Sequence, residues 1–303
     1  MVTVVADAGA DVGMGHLARC SAVAAALAER GADVRCLGFG APDERELDGV
    51  RWRPLADPAQ LGEPGDLLLV DSYSPERAVL ARGDAFVAAF HDQGEPPSGA
   101  ELVIGAGEAP AGVARLSGLE HACLRRPYWR PSRREPAGVV GAVLVSTGAG
   151  AAGAPFSATE VAAAVARALP DVTVRVTGSQ DAPGVEAIGS PSSLREHFEA
   201  VDLAVTAAGQ TMLEALATGR PVVAAVTAEN QRLQAALAAE VAAVVDAPTP
   251  EAVASAAAAL TRDVERRTSL ARGAREAIDG RGAHRVAEAL VAEALVAAAR
   301  SAG

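Results

Sequence analysis

Short runs of wholly apolar residues alternate along the chain with longer stretches in which apolar positions recur every three or four residues. The runs 2–6, 34–37, 66–70, 85–90 and 101–104 are apolar on both faces, the pattern of strands buried in a parallel sheet. Residues 16–30 carry the first helical pattern, and Gly31 stands where a helix C-cap belongs. The rhythm breaks at 127–136, Pro-Tyr-Trp-Arg-Pro-Ser-Arg-Arg-Glu-Pro, which has no periodicity. It restarts with a strand over 139–146, a glycine-containing loop over 147–153 and a helix over 157–169. Further strands are predicted at 172–176, 203–206 and 222–226, and amphipathic helices at 250–260, 262–277 and 283–299. Alternating strands and helices predict an α/β fold with parallel sheets. The break predicts a first domain over 1–126, a linker over 127–138 and a second domain over 139–303 that includes the last helices. In such folds ligands bind at the carboxyl ends of the strands, so two domains predict a cleft between their sheets.

Composition narrows the function classes. The chain has 303 residues, 50% of them hydrophobic and only 3% aromatic, so its cores must be built from Ala, Val and Leu. A net charge of −11 argues against a duplex nucleic-acid partner and against stable attachment to anionic lipid. No apolar run reaches the roughly 18 residues of a membrane helix, and the N-terminus lacks a basic region followed by an apolar signal segment. The expectation is a cytoplasmic protein. All 27 basic residues are arginine, which removes lysine-based Schiff-base and Walker-type phosphate chemistry. Cys20, Cys36 and Cys123 fit neither a metal-ligand spacing nor a disulfide framework. No His/Cys cluster and no acidic triplet suited to magnesium stands in the sequence, so neither metal nor cofactor is expected.

Four stations carry polar residues at predicted strand ends. In the first, Gly13-Met14-Gly15-His16-Leu17-Ala18-Arg19-Cys20 closes the loop after the first strand and opens the first helix. Helix-start N–H groups form an anion site, the glycines let a ligand approach the backbone, and His16 offers an acid or base, held neutral by the helix start. A lone helix-start histidine also serves as a cap or packing residue. In the second, Thr206-Ala207-Ala208-Gly209-Gln210-Thr211-Met212-Leu213-Glu214 turns from strand to helix near Gln210. Gln210 and Thr211 suit a phosphate, and Glu214 suits vicinal hydroxyls such as those of a ribose; the same spacing also reads as a capping box of Thr211 and Glu214. The third, Glu229-Asn230-Gln231, follows the strand at 222–226 and offers amides to sugar hydroxyls or an ordinary polar cap. The fourth, Asp71-Ser72-Tyr73, ends the apolar run at 66–70, where turn formers and cleft acids both occur. His91-Asp92 has the same two readings, and the Thr147-Gly148 loop is a weak diphosphate signal. His121, His197 and His284 have no sequence partners and are assigned to structure.

Taken in order, Gly13-x-Gly15-His16-x-x-Arg19-Cys20, Asp71-Ser72-Tyr73, Gly209-Gln210-Thr211-x-x-Glu214 and Glu229-Asn230-Gln231 resemble a known family. It comprises the hydrolases of pseudaminic acid biosynthesis that act on UDP-2,4-diacetamido-2,4,6-trideoxy-β-L-altropyranose, grouped with predicted glycosyltransferases of spore-coat polysaccharide synthesis. The resemblance, over roughly residues 1 to 240, implies a GT-B fold of two Rossmann-like domains with the nucleotide held mainly by the second. It implies that His16 activates water for attack at the sugar C1 and that Tyr73 lines the sugar site. It further implies diphosphate contacts from Gly209, Gln210 and Thr211, ribose contacts from Glu214, and Asn230 and Gln231 near the sugar or phosphates. The chain departs from the family at Val5, where an arginine is usual, at His91-Asp92, where Asp-Asp is usual, and at Thr147-Gly148-Ala149-Gly150, where Gly-Gly-Ser/Thr-Asp is usual.

These readings predict hydrolysis of a UDP-linked amino or deoxy sugar. One alternative is a glycosyltransferase in which His16 deprotonates an acceptor hydroxyl at the same donor site. The other is a protein that binds nucleotide sugars without turnover.

Overall fold

A computed structural model describes residues 1–9, 14–57, 61, 67–73, 85–95, 99–131, 135–147, 155–178 and 182–301. The chain forms two compact units, one of residues 1–126 and 281–303, the other of residues 127–280.

In the first unit the strands are β1 (Val2–Asp7), β2 (Val34–Phe39), β3 (Arg45–Leu47), β4 (Val50–Leu55), β5 (Leu67–Asp71), β6 (Phe86–Phe90), β7 (Leu102–Ile104) and β8 (Ala114–Leu116). They form one sheet in the order β3-β4-β2-β1-β5-β6-β7-β8. Every pairing is parallel except β3 with β4. Helix α1 (Gly15–Glu29) follows β1 and buries Leu17, Cys20, Val23 and Leu27. The sequence reading omitted β3 and β4. They form a hairpin whose turn is Asp48-Gly49, with φ of 53° and 82°. Positive φ at both central residues is what a two-residue hairpin of this hand requires, and Asp-Gly supplies it at low strain. The hairpin buries Trp52, whose Nε1 donates to Ser21 Oγ of α1 at 2.8 Å.

The second unit holds β9 (Ala142–Ser146), α2 (Ala158–Ala168), β10 (Thr173–Val176), β11 (Val185–Ala187), α3 (Arg195–Glu199), β12 (Leu203–Ala207), α4 (Gln210–Ala217), β13 (Val222–Ala225), α5 (Arg232–Ala238), β14 (Ala243–Val245), α6 (Pro250–Arg262) and α7 (Val264–Ala277). Its sheet is all parallel in the order β11-β10-β9-β12-β13-β14. Alternate residues of β9, β10 and β12 pack with α2 and α6 into a core of Val, Leu and Ala. Three of these helices begin at side-chain caps. Ser157 and Glu160 form a capping box on α2, Thr249 caps α6 and Asp263 caps α7.

Two expected boundaries differ from the structure. The final helix α8 (Gly282–Ser301) was assigned to the second domain, but it packs on α1, β6 and β7 of the first unit. His284 Nε2 lies 3.3 Å from Glu29 Oε2, Arg285 donates to Glu120 O at 2.9 Å, and Arg30 pairs with Glu288. An amphipathic pattern shows that a helix has a buried face and not which sheet buries it. The described residues of the expected linker over 127–138, which are 127–131 and 135–138, belong to the second unit. Tyr128 is buried, and Arg195 donates to Pro127 O. Arg267 Nη2 donates to Ala137 O at 3.2 Å and Gly138 O at 2.8 Å. Arg267 Nη1 donates to Leu260 O at 2.9 Å and to Thr261 O. Guanidinium groups, that of Arg267 buried and that of Arg195 half-buried, therefore satisfy carbonyls that a solvent-exposed linker would present to water.

No helix among the described residues is long and apolar enough to cross a membrane. Arg267→Ala should strand buried carbonyls and cost roughly 3 kcal/mol, about 6–12 °C in Tm for a unit of this size. Thermal unfolding followed by circular dichroism checks this; an unchanged Tm would contradict the stitching role.

Candidate active site

In the first sheet β1 has β2 on one side and β5 on the other. This is the topological switch point, outside whose strand ends ligands bind in open α/β sheets. Asp7 ends β1 and Asp71 ends β5, and His16 is the second residue of α1. The long sequence separation between Asp71 and His16 closes here: His16 Nδ1 lies 2.7 Å from Asp71 Oδ1, with both residues buried. Arg19, one turn further along α1, grips the same carboxyl through both oxygens, Nε to Oδ2 at 2.5 Å and Nη2 to Oδ1 at 2.7 Å. Cys20 Sγ donates to Oδ2 at 3.7 Å.

Burial alone pushes the Asp71 carboxyl up, but the Arg19 guanidinium, the His16 ring and their hydrogen bonds together hold it well below the usual carboxylate range. An ionised carboxylate only accepts, so the His16 proton sits on Nδ1 and the lone pair of the neutral ring on Nε2. That arrangement is the orienting half of an acid–base dyad. Burial likewise pushes Arg19 down, and the charges of Asp71 and Asp92 more than offset it, holding Arg19 well above its ordinary value.

Arg19 and Asp92 complete the cluster; the sequence left Asp92 open between turn former and cleft acid and gave Arg19 no role beyond its place in the motif. Arg19 Nη1 pairs with Asp92 Oδ2, and the guanidinium carbon lies 4.5 Å from the centroid of the Phe90 ring. The Tyr73 hydroxyl donates to Asp92 Oδ2 at 3.3 Å, and the Tyr73 ring stands edge-on to His16 with centroids 4.9 Å apart. The Tyr73 backbone N–H donates to Asp7 Oδ2 at 2.8 Å. Burial, aided by Asp92 and Asp71 and opposed by Arg19, raises the Tyr73 phenol above its ordinary value, so it remains a donor. The pairing of β5 with β6 places Asp71-Ser72-Tyr73 beside His91-Asp92, a neighbourhood that only the strand order reveals.

In the second sheet the switch point falls between β9 and β12. Gly209 is the N-cap of α4 with no side-chain cap, Gln210 is the first helical residue and Thr211 the second. The capping-box alternative for Thr211 and Glu214 is thereby excluded, since Thr211 lies within the helix. Glu214 is buried on α4. Asn230 and Gln231 lie in a 3-10 turn, Glu229–Gln231, that leads into α5. Gln231 Oε1 accepts from Thr227 N at 2.9 Å and Thr227 Oγ1 at 3.2 Å. Its Nε2 would lie 3.8 Å from a Cβ added at Gly209, so Gln231 and the start of α4 are neighbours. Exposed Glu229 instead pairs with Arg232 at 2.8 Å. Thr147 is half-buried just past β9, beside Ser146, whose Oγ accepts from Thr177 Oγ1 at 3.3 Å. Gly15 is the first residue of α1. Gly13 and Gly148 lie outside the described residues. Among the described residues no group of three His, Cys, Asp or Glu side chains is placed to hold a metal ion.

Two α/β units with mainly parallel sheets, the first completed by the last helix of the chain, define the GT-B glycosyltransferase fold. The spinosyn forosaminyltransferase SpnP is similar with a TM-score of 0.65 and 14% identity over 96% of this chain and 99% of that one. MurG of Acinetobacter baumannii has a TM-score of 0.59 and 15% identity over 95% and 98%. Anabaena Alr3699/HepE in complex with UDP-glucose has a TM-score of 0.61 and 13% identity over 96% and 99%. At these identities the likeness is one of fold. No protein-family model and no curated protein matches the sequence.

Nitrogen-15 spectra of His16 should report Nδ1–H in the neutral ring; an Nε2–H tautomer would contradict the Asp71 assignment. Burial pushes the Cys36 and Cys123 thiols up to about 12, and burial together with Asp71 raises Cys20 as well. Since the thiolate is the nucleophile, all three should resist iodoacetamide at pH 8 in the native protein and react once it is unfolded. Rapid native alkylation would overturn this.

Proposed function

We propose that the protein transfers the glycosyl group of a nucleotide sugar, a UDP-sugar in the first instance, to an acceptor hydroxyl with inversion at C1. The observation that carries the reading is the His16–Asp71 dyad at the switch point of a GT-B first unit. His16 Nε2 takes the acceptor proton as the hydroxyl oxygen attacks C1. The bond from C1 to the diphosphate oxygen breaks, and its electron pair leaves with the nucleoside diphosphate. Asp71 steadies the imidazolium that forms. Tyr73, against the His16 ring, lines the sugar side.

The second unit is assigned the nucleotide. The N–H groups at Gly209, Gln210 and Thr211, at the start of α4, receive the developing diphosphate charge. Glu214 accepts from the ribose hydroxyls, Asn230 and Gln231 serve the sugar or phosphates, and Thr147 with the Gly148 loop serves the diphosphate. Solved structures of this fold include the forosaminyltransferase SpnP and HepE with UDP-glucose bound, which supports transfer over hydrolysis.

Hydrolysis is the second reading. It is favoured by the motif Gly13-x-Gly15-His16-x-x-Arg19-Cys20 with Asp71-Ser72-Tyr73, which resembles the UDP-sugar hydrolases of pseudaminic acid biosynthesis. Water then takes the place of the acceptor hydroxyl at His16.

A panel of nucleotide sugars assayed for nucleotide release, with and without sugar acceptors, separates the readings. Acceptor-dependent release is expected. Release without acceptor would favour hydrolysis, and UDP binding without turnover on any donor would leave only a binding protein. His16→Ala should reduce turnover about 10²–10⁴-fold, the range of a general base, with UDP affinity within about twofold because the diphosphate contacts are elsewhere. Glu214→Gln should raise the UDP Kd roughly tenfold or more, since hydrogen bonds to charged groups contribute about 1.5–3 kcal/mol. Unchanged UDP binding by calorimetry would remove Glu214 from the ribose site.

A further inference from the structure

Asp92 is held on one side and working on the other. The turn after β7 closes over it: Ala106 N–H donates to Asp92 Oδ1 at 3.0 Å and Gly107 N–H donates to His91 O at 2.8 Å. Neither glycine of this wrap has room for a side chain. A Cβ at Gly107 would lie 2.3 Å from His91 Cδ2, and one at Gly105, where φ is 123°, would lie 2.6 Å from Asp92 Oδ1. Asp92 is itself buried, so Oδ1 is anchored and the direction of Oδ2 is set by backbone.

Oδ2 then serves both flanks of the proposed base. On one flank it takes the Tyr73 hydroxyl at 3.3 Å, and the ring of that tyrosine stands edge-on to His16. On the other flank it pairs with Arg19 Nη1, while Nε and Nη2 of the same guanidinium grip Asp71, the partner of His16 Nδ1. An arginine fork can span two carboxylates in this way because its donors are rigidly splayed.

We propose that Asp92, clasped by the Gly105-Ala106-Gly107 turn, is a positioning residue that fixes the imidazole of His16 from two directions, through the Tyr73 ring and through the Arg19–Asp71 pair. It touches no substrate in this scheme. The proposal rests on His16 acting as the base, and it concerns how that base is held rather than what it acts upon. Misplacement of a reacting group by about 1 Å can cost about 100-fold in rate, so a residue that only aims the base acts on kcat and leaves KM nearly untouched.

The test uses the full chain and the donor and acceptor identified by nucleotide release. Asp92→Asn keeps the shape and an acceptor for Ala106 N–H but removes the charge facing Arg19. It should lower kcat about 10–100-fold with KM for the donor within about twofold. Tyr73→Phe removes only the hydroxyl bond and leaves Arg19 paired, so it keeps the test open if Asp92→Asn folds poorly; it should lower kcat by a smaller factor. In the double variant Tyr73→Phe should add nothing to Asp92→Asn, because residues acting through one network are not additive. Independently of turnover, the His16 ring-proton shifts set by the Tyr73 ring should move in both single variants. Unchanged kcat in Asp92→Asn, additive losses in the double variant, or unmoved His16 shifts would each overturn the proposal. If His16→Ala retains full turnover, the base assignment fails on its own account and the His16 shifts alone decide whether Asp92 positions the ring.

Discussion

A carboxylate with no exposed surface at the end of a central strand constrains everything near it. Asp71 is such a group. A buried charge costs several kcal/mol unless paired and fully hydrogen-bonded, so the neighbouring elements must deliver cations and donors to fixed points. Helix α1 does so with His16, Arg19 and Cys20, which sets its rotation and its height against β1 and β5. β6 does so indirectly, by carrying Asp92 to the far end of Arg19. The apolar packing of α1 gives its general position; the charge on Asp71 gives the angular one. The group that would orient a catalytic base is therefore also the group around which that corner of the fold is arranged.

The absence of lysine acquires a structural meaning. A lysine brings one compact charge, whereas arginine brings five donors in a plane. Arg19 uses that plane to join two carboxylates across two strands. Arg267 uses it to bind carbonyls from the α6–α7 junction and from the segment before β9. Neither arrangement is open to a single ammonium. A bias that in sequence only removed candidate chemistries is, in the folded chain, a recurring way of satisfying buried oxygens.

Much of the fold was legible because buried parallel strands announce themselves: β1, β5, β6 and β12 are apolar at nearly every position and all lie inside sheets. The hairpin β3–β4 was missed although Asp48-Gly49 is a strong turn signal, because its strands carry arginine and glutamate on the open face. The helix start at Gln210 was legible, and of the two readings open for Thr211 the capping box falls away, because Gly209 is the N-cap. His16, Asp71 and Tyr73 were each picked out as polar residues at strand or helix ends. That they form one cluster, and that Arg19 and Asp92 bind it together, depends on strand order, which local patterns do not carry. The same limit misplaced α8, whose buried face fits any apolar surface until the sheet beneath it is known.

The discontinuity of the first unit bears on how the chain is made. Residues 1–126 leave the ribosome before residues 127–280, yet α8 can join them only after those residues have followed. Until then the surfaces of α1, β6 and β7 that α8 covers lack their partner. The second unit is continuous in sequence and can close as soon as it emerges. The packing of the half that carries His16 therefore cannot be completed before the segment 281–301, which lies beyond the whole of the other unit in sequence, has been made.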